Sequence, residues 1–296
     1  MSQSGPMPPN PPHNGAALRG PPVLDQPVLD SARSFARDRY LSALLSPAAA
    51  RGDLIALAAY LGEIERIPLV ADDPAIGEIR LQWWRDALVA PKPSGNPVAD
   101  AVQALRARQG FSEALLMAPI EGTSRQLYED GITDASALAL YAEETDGAAL
   151  RMALAILGAP DGSDPALVEP ASRALALTRI GLTLPQHLAH GRMPVPPAFL
   201  GDAQDPRGAA PDEARRATRA LLAQLAADAS SAVDTFRSAA GTMDRGRFAA
   251  FLPMSLVQPY FNVMLAPKRD VLREIADISP LSRVLRLWFA QWRRKA

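Results

Sequence analysis

Residues 54–88, LIALAAYLGEIERIPLVADDPAIGEIRLQWWRDAL, hold two helical periods separated by the turn-forming ADDP. At about 100° per residue, Leu54, Leu57, Ala58, Leu61 and Ile64 form one apolar stripe. Glu65 falls in the middle of that stripe, whereas Glu63 points outward. On the second helix Ile76, Ile79, Trp83 and Ala87 share a face, and Arg80 lies within it. A carboxylate and a guanidinium both aimed into an apolar core need each other or need a ligand. This stretch therefore predicts a helical core with a polar site inside it.

The same helical period runs through nearly the whole chain after Asp30, and no β-branched run shows the alternation of a half-buried strand. The expected fold class is all-α. Helices are expected at 30–46, 51–69, 74–90, 97–109, 112–129, 133–158, 166–190, 210–240, 248–265, 267–276 and 280–293, with breaks at PKPSGNP, GAPDGSDP and GDAQDPRGAAPDE. Residues 1–30 hold 8 of the 28 prolines and have neither a basic start nor a continuous apolar core, so they read as a disordered arm rather than a signal. Residues 31–296 read as one domain.

A net charge of -1 and 21% charged residues give no sign of nucleic-acid binding. With no cysteine, disulfides, thiolate zinc sites and a thiol nucleophile are excluded, which fits a cytoplasmic setting. Phosphate loops, dinucleotide fingerprints, zinc helices and nucleophile elbows are also missing. From Phe248 to Pro267 no residue is charged, but Pro253 and Pro259 favour two short buried helices over a membrane span. Asp72 and Asp73 precede Pro74 and read as helix caps. His187 and His190 read as a solvated helix end rather than a metal site.

The order of four tracts carries a resemblance: RSFARDRYLSALLSPAAARGDLIALAAYLGEIERI, GEIRLQWWRDAL, PIEGTSRQLYEDGITDASALALYAEETDGAALRMALAILG and ALALTRIGLTLPQHLAHGRMPVP. Together they are similar to the squalene/phytoene synthase family. The resemblance implies an isoprenoid synthase-type helical bundle whose central cavity carries two Asp-rich motifs that hold magnesium against prenyl diphosphates. Where the first motif falls, this chain keeps only Glu65 beside Arg66. Where the second falls, it has Thr183, Gln186 and His187. The wording IGEIRLQWWRDAL and LYAEET resembles the branch that contains a mitochondrial complex I assembly factor and is regarded as noncatalytic.

The resemblance implies a cavity that outlives its chemistry, since one carboxylate beside an arginine cannot seat several magnesium ions. No catalytic residue, metal ligand or cofactor is then expected, with Mg2+ belonging only to the alternative of an active prenyltransferase in isoprenoid biosynthesis. The candidate cavity residues are Tyr60, Glu65, Arg80, Trp84, Glu121, Tyr141, Arg179 and Gln186. Glu65 with Arg80 reads as a closed structural ion pair rather than a ligand contact, and Trp83 and Trp84 as core filling rather than a binding platform. The implied partners are a lipid or prenyl ligand and respiratory complex I subunits.

The last segment, residues 281–296, supplies a further alternative, that of a peripheral membrane adaptor at the inner face of a membrane. Leu281, Val284, Leu285, Trp288, Phe289 and Trp292 share one face of a basic helix. The segment reads first as a terminal helix that closes the core with those apolar residues and leaves its basic residues in solvent.

Overall fold

The computed structural model describes residues 24–129, 131–159, 164–201, 204–241 and 243–293. Among them are fourteen α-helices and no strand. These are α1 (Gln26–Phe35), α2 (Arg37–Leu44), α3 (Ala48–Glu65), α4 (Ile67–Val70), α5 (Pro74–Val89), α6 (Pro97–Gln109) and α7 (Glu113–Ser124). They are followed by α8 (Ala135–Ala142), α9 (Ala148–Ile156), α10 (Pro165–Ala189), α11 (Pro211–Ala240), α12 (Arg245–Phe248), α13 (Val257–Met264) and α14 (Pro280–Arg293). A π-helical turn, Glu143–Gly147, joins α8 to α9, and a 3-10 stretch, Ala249–Leu256, joins α12 to α13. The all-α expectation holds.

Local chemistry fixes several boundaries where the sequence places them. Helix α6 starts where the Asn96 side chain accepts the Val98 and Ala99 N–H groups at 2.9 and 3.1 Å, and ends at Gly110 with φ +71°. Asp73 caps α5 by accepting from Ala75 N–H. Helix α1 begins at Gln26 and buries Val28, so the expected arm shortens at its C-terminal side. Its first 23 residues lie outside the described ones. The helix expected at 267–276 does not form. The Arg219 guanidinium of α11 takes the carbonyls of Ala266, Pro267 and Arg269 at 3.3, 3.1 and 2.6 Å, and the segment runs as turns. The uncharged stretch after Phe248 forms short buried elements, as expected, but the break falls at Leu256 rather than at the prolines, since Pro253 lies inside the 3-10 stretch and Pro259 is the third residue of α13. Among the described residues no helix is long and apolar enough to cross a membrane.

Two apolar clusters make up the core. One gathers side chains of α1, α3, α5, α6, α7 and α9, including Leu57, Tyr60, Leu81, Val102 and Leu116. The other gathers α8, α10, α11, α13 and the 3-10 stretch, including Leu177, Leu221, Phe251 and Phe261. Helix α10 runs along α11 and also meets the π turn, while α2 bridges α3 and the 3-10 stretch. Gly122 of α7 lets the π turn approach closely, since a Cβ there would sit 2.6 Å from Thr145 Cγ2. The polar site lies where the two clusters meet.

Two faces differ from the sequence reading. Helix α5 buries Gly77, Leu81, Trp84, Ala87 and Leu88, and leaves Ile76, Ile79, Arg80 and Trp83 exposed. Gly77 causes this: its bare backbone lies against the Leu127 side chain, which would clash with any Cβ, so the small face packs and the bulkier apolar face turns out. Helix α14 likewise packs Arg283, Leu287, Ala290 and Gln291 against α2 and the 3-10 stretch. Its expected core-closing residues, Leu281 through Trp292 on the apolar face, are exposed.

Candidate functional site

Glu65 ends α3 pointing inward, as its stripe predicts, but its partner is not Arg80. Arg39 from α2 and Arg179 from the middle of α10 reach it instead, at 2.8 and 3.0 Å. Both guanidiniums also reach Asp146, in the π turn, at 2.7 and 2.6 Å. Each carboxylate oxygen of Glu65 and Asp146 thus takes one guanidinium nitrogen, and each arginine bridges both acids. The result is a ring of two positive and two negative groups drawn from four separate elements.

Supporting contacts hold the ring in register. Arg179 also donates to the Thr145 hydroxyl at 2.8 Å, which in turn donates to the Tyr141 carbonyl at 2.6 Å. The Tyr141 ring lies 5.4 Å from the Arg179 guanidinium carbon, a cation–π contact beneath the ring. Burial by itself would raise the Glu65 carboxyl, but Arg179 and Arg39 outweigh it and hold Glu65 below the usual carboxylate range. Burial opposes charge on both arginines as well. Glu65 and Asp146 nevertheless hold both above their ordinary value.

The ring floors a cleft of about 520 Å³, lined on one side by Thr183 and Gln186 of α10 and on the other by Asp38, Tyr260, Asp277 and Arg283. These last four form a second polar cluster at the rim. Tyr260 donates to Asp38 at 2.6 Å, Arg283 reaches Asp38 at 2.7 Å and the Tyr260 oxygen at 3.0 Å, and Arg283 also pairs with Asp277. Burial pushes the Asp38 carboxyl up, against the hydrogen bond from Tyr260 and the charge of Arg283. Behind the ring, a slot of about 50 Å³ runs among Leu54, Leu57, Leu61, Ala149 and Leu150. Ligand sites generally offer about 300–1,000 Å³, so the cleft is of ligand size and the apolar slot is nearly filled.

Of the eight candidate residues, Glu65, Arg179 and Gln186 line the cleft and Tyr141 lies under it. The other four are placed elsewhere. Tyr60 is buried in the core, donating to the Leu116 carbonyl at 2.7 Å and packing on Trp84 at 5.6 Å between ring centroids. Glu121 is exposed and pairs with Arg85 at 2.7 Å. Arg80 faces outward from α5 because of the Gly77 contact. Arg66, next to Glu65, sits over the Phe35 ring and pairs with Glu63.

Sequence reading missed Arg39 and Asp146, which supply half of the ring. His187 is not a solvated helix end either. It is 1% exposed with no partner at either ring nitrogen, and burial, followed by the charges of Arg192, His190 and Arg179, brings it down to about 3. Asp72 meets His190 at 3.1 Å, and with Asp73 capping α5 neither acid reaches the cleft.

Magnesium does not suit this donor set. It requires free oxygens at about 2.0–2.1 Å in an octahedron, whereas all four oxygens here are engaged by cations that would repel the ion. Among the described residues no group of three or more His, Asp or Glu is placed to hold a metal. Two guanidiniums occupy the space between Glu65 and Asp146.

Squalene synthase HpnC from Alicyclobacillus acidocaldarius superposes with a TM-score of 0.60 at 20% identity, covering 81% of this chain and 90% of that one. YisP from Bacillus subtilis gives 0.63 at 13% identity, covering 89% and 95%. These likenesses establish the fold. Among curated proteins, NADH dehydrogenase (ubiquinone) complex I, assembly factor 6, is 28% identical in Homo sapiens over 151 residues and 29% in Bos taurus over 140. The matched part spans 45% and 42% of those proteins, less than half their length. A match to squalene/phytoene synthase extends over residues 32–285, from α1 into α14, and the chain belongs to the squalene/phytoene synthase family.

Proposed function

We propose that this chain is a noncatalytic member of its family that binds a partner protein or lipid in the cytoplasm, or at the inner face of a membrane, and assists the assembly of respiratory complex I. The carrying observation is the closed Arg39–Glu65–Arg179–Asp146 ring. Release of a diphosphate needs its developing charge stabilised by cations that the protein anchors through free carboxylates. Here the acids are already neutralised by arginines of the chain itself, with no net charge left over. The likeness to complex I assembly factor 6 supports the assembly part of the reading.

The nearly filled apolar slot favours a partner protein, or a lipid held by its headgroup, over a carrier that swallows a long chain. A buried tail gains roughly 0.8 kcal/mol per CH2 only where apolar space exists to receive it. Purified protein given magnesium and farnesyl or geranylgeranyl diphosphate should release no pyrophosphate beyond a Glu65→Ala control. Turnover above that control would establish the prenyltransferase reading instead. In the source cell, loss of the gene should lower assembled complex I, and unchanged complex I activity would sink the assembly role.

A further inference from the structure

Helix α14 is amphipathic in the opposite sense to a helix that closes a core. Leu281, Val284, Leu285, Trp288, Phe289 and Trp292 are all exposed, with Leu281 at 69% and Trp292 at 60%. Trp288 stacks on Trp292 at 6.4 Å and meets Phe289 edge-on at 5.1 Å, so the aromatic rings form one continuous patch. Ile275, on the segment leading to the helix, is 63% exposed. An apolar surface of this kind on one helix marks an interaction site.

Nothing suggests that the helix is waiting to roll over. Its inner face is fixed by Leu287 and Ala290 in the core, by the Arg283 cluster, and by Gln291, which donates to the Leu45 carbonyl at 3.4 Å. Rotation to bury the tryptophans would drag Arg283, 3% exposed and bonded to Asp38 and Tyr260, into water and leave those partners behind. The outward apolar face is thus part of the finished fold.

Charge identifies the occupant. Helix α14 itself holds no acidic residue and carries the exposed Arg286 and Arg293, while Glu274 and Asp277 precede it, Asp277 being paired with Arg283. Arg286 is exposed, and Arg293 lies 5.8 Å from the Phe289 ring centroid, so cations flank the aromatic patch. Apolar side chains rimmed by arginines, with indole rings whose N–H groups prefer the headgroup level, match an anionic lipid surface.

We propose that α14 docks this protein on an anionic bilayer, its outer face seated at the headgroup boundary. Arg283, Asp277 and Ile275 line the cleft, so the segment that carries the membrane face is also one wall of that cleft. Seating the helix places the cleft's rim beside lipid headgroups. This deepens the membrane-facing part of the proposed function, and vesicle binding by the purified chain tests it without reference to complex I.

The experiment is flotation of the full chain with vesicles of phosphatidylcholine alone and of phosphatidylcholine with phosphatidylglycerol. Binding should require phosphatidylglycerol and weaken with added salt. Trp288→Ser with Trp292→Ser should reduce it about tenfold or more, and Arg286→Gln with Arg293→Gln roughly fivefold per arginine. Trp83→Ser, on the exposed face of α5, should leave it unchanged. Unaltered melting temperatures would show that the substitutions spare the fold. The proposal fails if no vesicle binds, if binding ignores lipid charge, or if Trp83→Ser weakens it as much as the α14 changes. It also fails if the α14 changes instead abolish a dimer measured by sedimentation.

Discussion

The ring on the cleft floor and the cluster on its rim are built from the same side-chain types, yet they are opposites in electrostatics. In the ring, two arginines and two acids alternate and every carboxylate oxygen has a cation. At the rim, one arginine faces two acids, and one of those, Asp277, is 56% exposed. The ring holds Glu65 ionised, while at the rim burial pushes Asp38 toward its protonated form. The lesson is that buried acids stay ionised where each has two cations, and that burial prevails where two acids share one.

The largest test of that contrast removes one arginine from each set. Arg179→Met leaves Glu65 and Asp146 with a single cation in a dry place, and should cost about 3–5 kcal/mol of unfolding free energy in urea melts. Arg283→Met leaves Asp38 with its hydrogen bond from Tyr260 and leaves Asp277 half exposed to water, and should cost less, about 1–3 kcal/mol. Equal losses would erase the distinction between floor and rim.

A second test concerns His187, whose acid response overlays both clusters. Its folded pKa of about 3 lies below the unfolded value near 6.5, so stability is present above the unfolded value and is lost as pH falls from there toward 3. Replacing the unpartnered ring by leucine should stabilise the protein by about 1 kcal/mol at neutral pH and flatten the decline of melting temperature below pH 6.5. An unchanged acid limb in His187→Leu would mean that the ring finds a partner when charged.

With that background removed, the two carboxylates should show opposite slopes, the smallest effect of the three. Glu65 has a lowered folded pKa, so its contribution is present above the unfolded value and lost as pH falls through the folded one. Asp38 has a raised folded pKa, so the folded state binds its proton first and stability declines as pH rises from the unfolded value through the folded one. Asp38→Asn in the His187→Leu background should abolish that decline in pH-dependent melting curves. A decline that persists would assign it to another group.

The parts of this molecule that could be read in its sequence are those governed by a single helix. Helices α6 and α14 occupy 97–109 and 280–293 as expected, because caps and turn formers act locally. Glu65 points inward because the Leu and Ala stripe around it leaves no other choice. Arg39 was hidden because the helix expected at 30–46 is broken at Ala36, where φ -137° and ψ 46° reset the phase between α1 and α2. Asp146 was hidden by the π turn, whose extra residue rotates the following side chains off the 3.6-residue period.

Orientation failed where tertiary contacts overrule hydrophobicity. Which face of α5 packs depends on Leu127 meeting Gly77, and which face of α14 packs depends on Asp38 and Tyr260 receiving Arg283. In both helices the hydrophobic pattern by itself names the wrong side. The fold class was legible from periodicity and the family from the order of tracts, but the ring required knowing that α2, α3, α10 and the π turn converge.

Asp38 and Arg39 are consecutive on α2, one joined to the rim through Arg283 and the other bonded to both acids of the floor. A tug on the C-terminal helix that displaces Asp38 is therefore transmitted through a single peptide link to a guanidinium with no slack. Surface and centre of this protein share one rigid lever, two side chains wide.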